Sequence, residues 1–397
     1  MSEVKIVPEL RFSEFSEAWS KKQVGELGNF FSGGTPTSTN KNLYEGNIPF
    51  IGSGKIGSDS VDQFITEDAL NGSSAKLVET GDLLYALYGA TSGEVAISKL
   101  NGAINQAVLC IRTQENKIFL KDWLIKNKPR ILKTYLQGGQ GNLSAKIVKN
   151  LKLCIPSKEE QQKIADFLSL VDKKIEQLTE KHRLLTDYKK GVMQQVFSQQ
   201  IRFKDDNGND YPEWDRKSIA KLGAIIGGGT PETTKAEYWN GDIQWFTPTE
   251  IKQKYMGFSV RSISNEGLKK SSAKILPKGT LLLTTRATIA DIAISTRECA
   301  TNQGFQSIVV NEENNNEFVY YWIIQNRKLF VRKASGSTFP EISKKEIEKI
   351  FGLFPCVEEQ QKIANFLTEI DQKINQAWSI LEQTKAFKKG LLQKMFV

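Results

Sequence analysis

One stretch of the chain has the form of a cofactor loop. Phe50-Ile-Gly-Ser-Gly-Lys-Ile-Gly holds F-x-G-x-G, as in methyltransferase loops, and G-x-G-x-x-G, as in dinucleotide-binding turns. Both patterns use glycine to bring a cofactor against the backbone at the start of a helix. The context argues against it. The residues after it, Ser58 to Asp68, carry no helical period, and the related stretch Trp245-Phe-Thr-Pro-Thr-Glu-Ile-Lys has no glycine. The Asn-Pro-Pro-Tyr or Asp-Pro-Pro-Tyr element of an adenine methyltransferase is missing.

Other chemistries fail on residue type. The chain has one histidine, His182, and four cysteines, Cys110, Cys154, Cys299 and Cys356, with no C-x-x-C pair. That removes zinc enzymes, His-based hydrolysis and a disulfide framework from consideration. No G-x-x-x-x-G-K-[ST] element and no P-D…(D/E)-x-K nuclease pattern occurs, and the acidic residues do not cluster at metal-holding spacing. The expectation is a chain without catalytic residues and without a bound metal.

Residues suited to a polyanion are present instead. Net charge is +9, divided as +3 over 1–156, +1 over 157–198, +4 over 199–355 and +1 over 356–397, so the excess sits in two large blocks and not in a tail. Lys121 to Lys133 holds five basic residues and one acid, among them Lys126, Lys128 and Arg130; Arg327 and Lys328 lead its counterpart. Such a helix could track a phosphate backbone or be an ordinary solvated face. Gly33-Gly-Thr-Pro and Gly228-Gly-Thr-Pro occur in both blocks. They read either as tight turns with glycine in the left-handed region or as backbone amides for a phosphate.

The elements that must position these residues come from a duplication. Pro156–Phe197 and Pro355–Phe396 align without a gap at an offset of 199, with 19 of 42 positions identical. Trp19 pairs with Trp214, Gly89-Ala-Thr with Arg286-Ala-Thr, Asn105-Gln106 with Asn302-Gln303, and Trp123 with Trp322. The chain reads as globular, helix, globular, helix: 1–156, 157–198, 199–355 and 356–397. Each globular part is expected to be an α+β domain, with strands at Leu83-Leu-Tyr-Ala and Leu281-Leu-Leu and helices over Phe119–Leu136 and Phe318–Ala334.

Apolar residues recur at alternating steps of three and four in both helical segments: Ile164, Leu168, Val171, Ile175 and Leu178, then Ile363, Leu367, Ile370, Ile374 and Leu381. This is a coiled-coil seam; the alternative is two amphipathic helices, each packed on its own domain. His182 falls on the seam, where a polar residue usually fixes register. Proline and paired glutamates open each segment, which suits a helix N-terminus and its dipole. Gly191 and Gly390 suggest a bend or fraying near the far ends.

With its two P-x-x-E-E-Q-Q-K-I-A-x-F-L-x-x-x-D-x-K-I elements at Pro156 and Pro355, its paired tryptophans, F-x-x-G-G-T-P at Phe30 and G-G-T-P at Gly228, the chain resembles the specificity subunit of Type I restriction–modification enzymes. The resemblance covers essentially the whole chain. It implies two similar target-recognition domains, each reading one part of a split double-stranded DNA target, joined by two long antiparallel coiled-coil helices in a pseudo-twofold repeat. It implies two modification (methyltransferase) subunits docked on the helices and restriction (motor and nuclease) subunits in the full complex. S-adenosylmethionine, ATP and magnesium would belong to those partners, and this chain would be a non-catalytic subunit. About 35 seam residues at 1.5 Å each span roughly 50 Å, or about 15 base pairs. Base readout belongs in the stretches the domains do not share. Side-chain chemistry there selects Lys55, Gln63, Ser92 and Gln140 in the first domain, and Lys252, Lys254, Arg286 and Ser337 in the second.

With no secretory signal and no membrane-length apolar run, a cytoplasmic location is expected. The competing readings are a stand-alone DNA-acting enzyme with a recognition domain, which lacks its motifs, and a coiled-coil scaffold that binds only protein.

Overall fold

A computed structural model describes residues 6–136, 142–286, 288–336 and 340–397. The chain divides into two compact units, residues 1–180 with 378–397, and residues 181–377. Each long helix is therefore shared: Lys158–Phe197 begins in the first unit and ends in the second, and Val357–Met395 does the reverse.

The first unit has two four-stranded sheets. In one the order is Gly28–Ser32, Val108–Thr113, Leu83–Ala86, Val95–Ile97; in the other it is Phe64–Ile65, Ile48–Ile51, Gly102–Ile104, Lys76–Val78. Leu83–Ala86 is apolar on both faces because both are covered, and all four residues are buried. A short ribbon, Ser20–Gln23 against Lys152–Ile155, ties the start of the domain to its end.

The second unit repeats this plan. Its five-stranded sheet runs Gly223–Gly227, Gln306–Val310, Leu281–Leu283, Ile292–Ser295, Tyr255–Met256, and its three-stranded sheet runs Arg261–Ile263, Trp239–Phe246, Cys299–Thr301. The ribbon is Asp215–Ser218 against Phe351–Phe354. The domain helix differs between units. Lys117–Leu136 is continuous, whereas the single helix expected over Phe318–Ala334 is two, Asn316–Gln325 and Arg327–Lys333, with Asn326 between them.

Within each unit the ends of the two long helices run antiparallel and close the domain core. In the first unit Ile164 and Leu168 share a buried cluster with Leu391, Leu392, Met395 and Phe396, and with Trp19, Phe119 and Trp123 of the domain. In the second, Val192, Met193 and Val196 meet Ile363, Leu367, Ile370, Trp214 and Phe318. Both readings of the helical segments thus hold together: the helices pair, and each end also packs on a domain. Of the expected seam residues, Ile164, Leu168, Leu178, Ile363, Leu367, Ile370 and Leu381 are buried, while Val171, Ile175 and Ile374 are half-buried. His182 is half-buried. The helices do not fray at Gly191 and Gly390, since both continue through them.

Candidate nucleic-acid interface

The repeated Glu-Glu-Gln-Gln signature proves to be a joint. Glu160 is buried; its carboxylate accepts hydrogen bonds from the Arg11 guanidinium at 2.7 Å and from Trp19 Nε1 at 3.3 Å. Glu359 repeats this with Arg202 at 3.0 and 3.1 Å and Trp214 Nε1 at 3.1 Å. The next residue closes the domain onto the helix. Gln161 accepts from the Asn116 amide and donates to Glu115 and to the Pro156 carbonyl; Gln360 does the same with Asn315, Asn314 and Pro355. Charged, bidentate bonds of this kind fix orientation as well as adding stability. The signature therefore aims each domain relative to the helix ends in its own unit.

Each domain presents a loop end built on the same frame. In the first, Gly33 and Gly34 press against neighbouring chain: a Cβ on Gly33 would fall 1.7 Å from the Ile104 carbonyl oxygen, and one on Gly34 1.9 Å from Ser74 Oγ. In the second, a Cβ on Gly228 would lie 2.0 Å from the Asn302 oxygen. None of the Gly-Gly-Thr-Pro glycines has a positive φ, so close approach, and not a left-handed turn, is what requires glycine there. The packing delivers the threonine to a partner. Thr35 Oγ1 donates to Gln106 Oε1 at 2.6 Å, and Thr230 Oγ1 to Gln303 Oε1 at 2.5 Å. Two elements matched by the sequence repeat thus meet in both units, leaving an exposed glutamine amide.

The candidate DNA contacts distribute unevenly over this frame. In the first unit Lys55 ends a turn, Ser53–Lys55, that packs against the turn Gly89–Thr91, and its ammonium pairs with Asp62 at 3.2 Å. Gln63 is exposed at the rim of the same loop. Ser92 is buried, its hydroxyl donating to the Gly89 carbonyl at 2.8 Å, so it holds the turn rather than facing outward. In the second unit Arg286 sits on the loop end, bridged to Glu341 at 2.8 Å. Lys252 is exposed and shares a cleft of about 410 Å³ with Lys254, Asp291 and Arg327.

The basic helices contribute less than their composition suggests. Lys128 pairs with Glu94 at 2.5 Å, and its counterpart Arg327 pairs with Asp291 at 2.7 Å. Both pairs clamp a loop to a helix. Lys126 donates to the Phe396 carbonyl at 3.2 Å, and burial beside Arg130 lowers its pKa. Lys254 donates to Tyr321 at 2.7 Å and Thr368 at 3.0 Å and pairs with Glu317; burial pulls its pKa down. Arg130 and Lys328 are exposed on their helices. Gln140 and Ser337 lie outside the described residues.

Sequence reasoning placed base readout in the unshared stretches but named neither Phe258 nor Val260 at the loop tips. Where the first unit has Ser58-Asp-Ser-Val-Asp-Gln63, the second has Met256-Gly-Phe-Ser-Val-Arg261, with Phe258 72% and Val260 86% exposed. Only their solvent exposure marks them.

Among the described residues no His, Cys, Asp or Glu group could hold a metal ion, and no helix is long and apolar enough to cross a membrane. Burial pushes the Cys110 and Cys299 thiols up to about 12, which suits packing and not reactivity.

The family model for the Type I restriction modification DNA specificity domain matches the chain twice, at residues 16–186 and 211–383. The MjaIX specificity subunit of Methanocaldococcus jannaschii is 38% identical over 184 residues, which is 45% of this chain and 43% of that protein. The EcoR124I/EcoR124II specificity subunit of Escherichia coli is 26% identical over 171 residues, 41% of this chain and 42% of that protein. These two matches each span less than half of the relative. The MjaVIII specificity subunit of M. jannaschii is 23% identical but is covered over 91% of its length, with 95% of this chain. The S subunit of a Type I restriction–modification system from M. genitalium shares the fold, with a TM-score of 0.64, 16% identity and 99% of each chain covered.

Proposed function

The chain belongs to the family of Type I restriction–modification DNA specificity proteins, and on that premise we propose that it is the subunit that reads a bipartite DNA target for such a complex. Each loop end takes one half-site. The observation that carries this reading is the contrast within the loop ends. Thr35–Gln106 and Thr230–Gln303 repeat, while the tips beside them differ in charge and shape. A shared frame suits contacts common to both half-sites, and unshared tips suit base-dependent ones.

The long helices serve as spacer and dock. Leu170, Leu184, Tyr188, Trp378, Ile380 and Phe387 are exposed on them, apolar surface of the kind that a partner covers. On this reading the partners are two modification subunits, with restriction subunits in the full assembly. S-adenosylmethionine, ATP and magnesium act on those subunits, and this chain contributes binding without chemistry. The cytoplasm, where the DNA is, is its place of action.

The test is exchange. Replacing residues 1–156 with the corresponding domain of another specificity subunit, and mapping methylated adenines, should change one half-site and leave the other intact. A motif that changes at both ends would overturn the assignment of one half-site per domain.

A further inference from the structure

The second unit carries an element that has no equivalent in the first. Pairing aligns Ile65 with Ile263, since each opposes the long strand of its own sheet, Ile48 in one case and Ile243 in the other. Counting back, Phe258 takes the place of Ser60 and Val260 that of Asp62. The first tip is acidic and paired to Lys55. The second is apolar, and among the described residues of its unit it is the most exposed apolar feature, with Phe258 72% and Val260 86% accessible.

The second tip is also held rigid. Ser259 N donates to Gln244 Oε1 at 2.8 Å, and Ser259 Oγ accepts from the Trp245 amide at 2.9 Å. Val260 N donates to Glu250 at 2.7 Å, and the same carboxylate holds the Thr247 amide. Cations flank it: the Arg297 guanidinium lies 4.0 Å over the Phe258 ring, and that of Arg261 lies 3.5 Å over Trp239. The tip belongs to the loop end already described, because Glu250 ends the turn Pro248–Glu250, and Pro248 packs on Gly304 beside Gln303. A soluble domain does not ordinarily fasten two exposed apolar side chains at a tip with arginines beside them. DNA-bending proteins do: an apolar wedge enters between base pairs while cations take the phosphates.

We propose that Phe258 and Val260 form a wedge that inserts at one base step of the second half-site, so that this half is read partly through the ease of unstacking that step, while the first half is read by polar contacts alone. The proposal rests on the DNA-reading function above and names how one of its two sites works. Pyrimidine–purine steps unstack most easily, so the second half-site should contain one at the wedge position.

The experiment uses the chain assembled with its modification subunits on its mapped target, with 2-aminopurine placed in turn at each adenine of both half-sites. Apart from the adenine that each modification subunit flips out for methylation, wild-type complex should raise the fluorescence severalfold at one position of the second half-site and at none of the first. Phe258→Ala with Val260→Ser should abolish the rise and weaken target binding about tenfold. Phe258→Leu, which keeps an apolar wedge, should restore most of both. Both side chains are exposed, so thermal unfolding should be unchanged. No rise beyond the flipped adenines, or one beyond them that survives the double substitution, would overturn the wedge. Failure of the underlying reading looks different: replacing residues 199–355 would then leave the methylated motif unaltered.

Discussion

Where a domain helix meets the two long helices, both halves keep one ion pair and face it with opposite chemistry. In the first unit Lys388 pairs with Asp172 at 2.5 Å, and the domain helix brings up Asp122, fully buried. Neither carboxylate oxygen of Asp122 accepts a hydrogen bond among the described residues; Lys121 and Lys388 stand 3.4 and 3.7 Å away. In the second unit Lys189 pairs with Asp371 at 2.5 Å, and the equivalent position is Tyr321, whose hydroxyl donates to Asp371 at 2.6 Å. Lys254 then joins Tyr321, Thr368 and Glu317. The repeat therefore conserves the lysine–aspartate pair that links the two helices and leaves the facing residue free to change. One junction is a closed hydrogen-bonded network; the other keeps an acid buried among cations.

The largest effect should come from a charge on the seam, and it should be unequal. Ile370 is buried at 4% exposure, whereas its repeat partner Val171 is half-buried. Ile370→Glu should cost about 4 kcal/mol, because a charge is buried without a partner, and Val171→Glu only about 1 kcal/mol, because the carboxylate can reach water. Denaturant unfolding combined with hydrogen exchange, which assigns the loss to a unit, checks this. Equal losses would mean that burial in the two units is more alike than the packing shows.

Next, the clasps should be equivalent. Glu160→Ala and Glu359→Ala each strip a buried acid from an arginine and a tryptophan N–H, at a cost of about 3 kcal/mol. The same unfolding measurement should give values within about 1 kcal/mol of each other. Tyr321→Phe should cost less, about 2 kcal/mol, for the hydrogen bond it donates to the Asp371 carboxylate and the one it accepts from Lys254. A neutral outcome would place the second network's stability elsewhere.

These junctions also show where sequence reasoning stops. The duplication, the long helices and most of the seam are legible because they are periodic, and periodicity is local. Glu160 and Glu359 read locally as acids at a helix start. The partners of Glu160, Arg11 and Trp19, lie 149 and 141 residues away, those of Glu359, Arg202 and Trp214, 157 and 145, and no spacing rule reaches them. The Gly-Gly-Thr-Pro glycines are matched across the repeat, yet the reason, close contact with distant chain at Ile104, Ser74 and Asn302, exists only in the fold. Charge alone points to Lys254 and Lys128, and charge does not reveal that each is already paired with an acid of this chain. Phe258 carried no signal, because an apolar residue in a sequence reads as core until its exposure is known.

The smallest effect is the most discriminating, because it depends on pH. Burial raises the Asp122 carboxyl above its ordinary value, opposed by Lys121 and Lys388 and reinforced by Asp172. A group that binds its proton more tightly when folded favours the folded state at low pH. That advantage fades as pH climbs from the unfolded value, about 3.9, through the folded one. Ionised Asp122 is thus a cost to the first unit at neutral pH. Asp122→Asn removes it and forfeits the attraction of the two lysines, so the net gain at pH 7 should be modest, about 1 kcal/mol. The slope is the sharper readout. Between pH 4 and 7 the wild-type minus Asp122→Asn difference in stability should move steadily against wild type, with contributions from every other carboxyl cancelling. Burial raises the Tyr321 hydroxyl far above working pH, so titration of that hydroxyl adds no slope to the Tyr321→Phe difference between pH 4 and pH 7. A flat Asp122 difference would show that the lysines hold its carboxylate ionised through the whole range, and that the two junctions, unlike in composition, are alike in electrostatics.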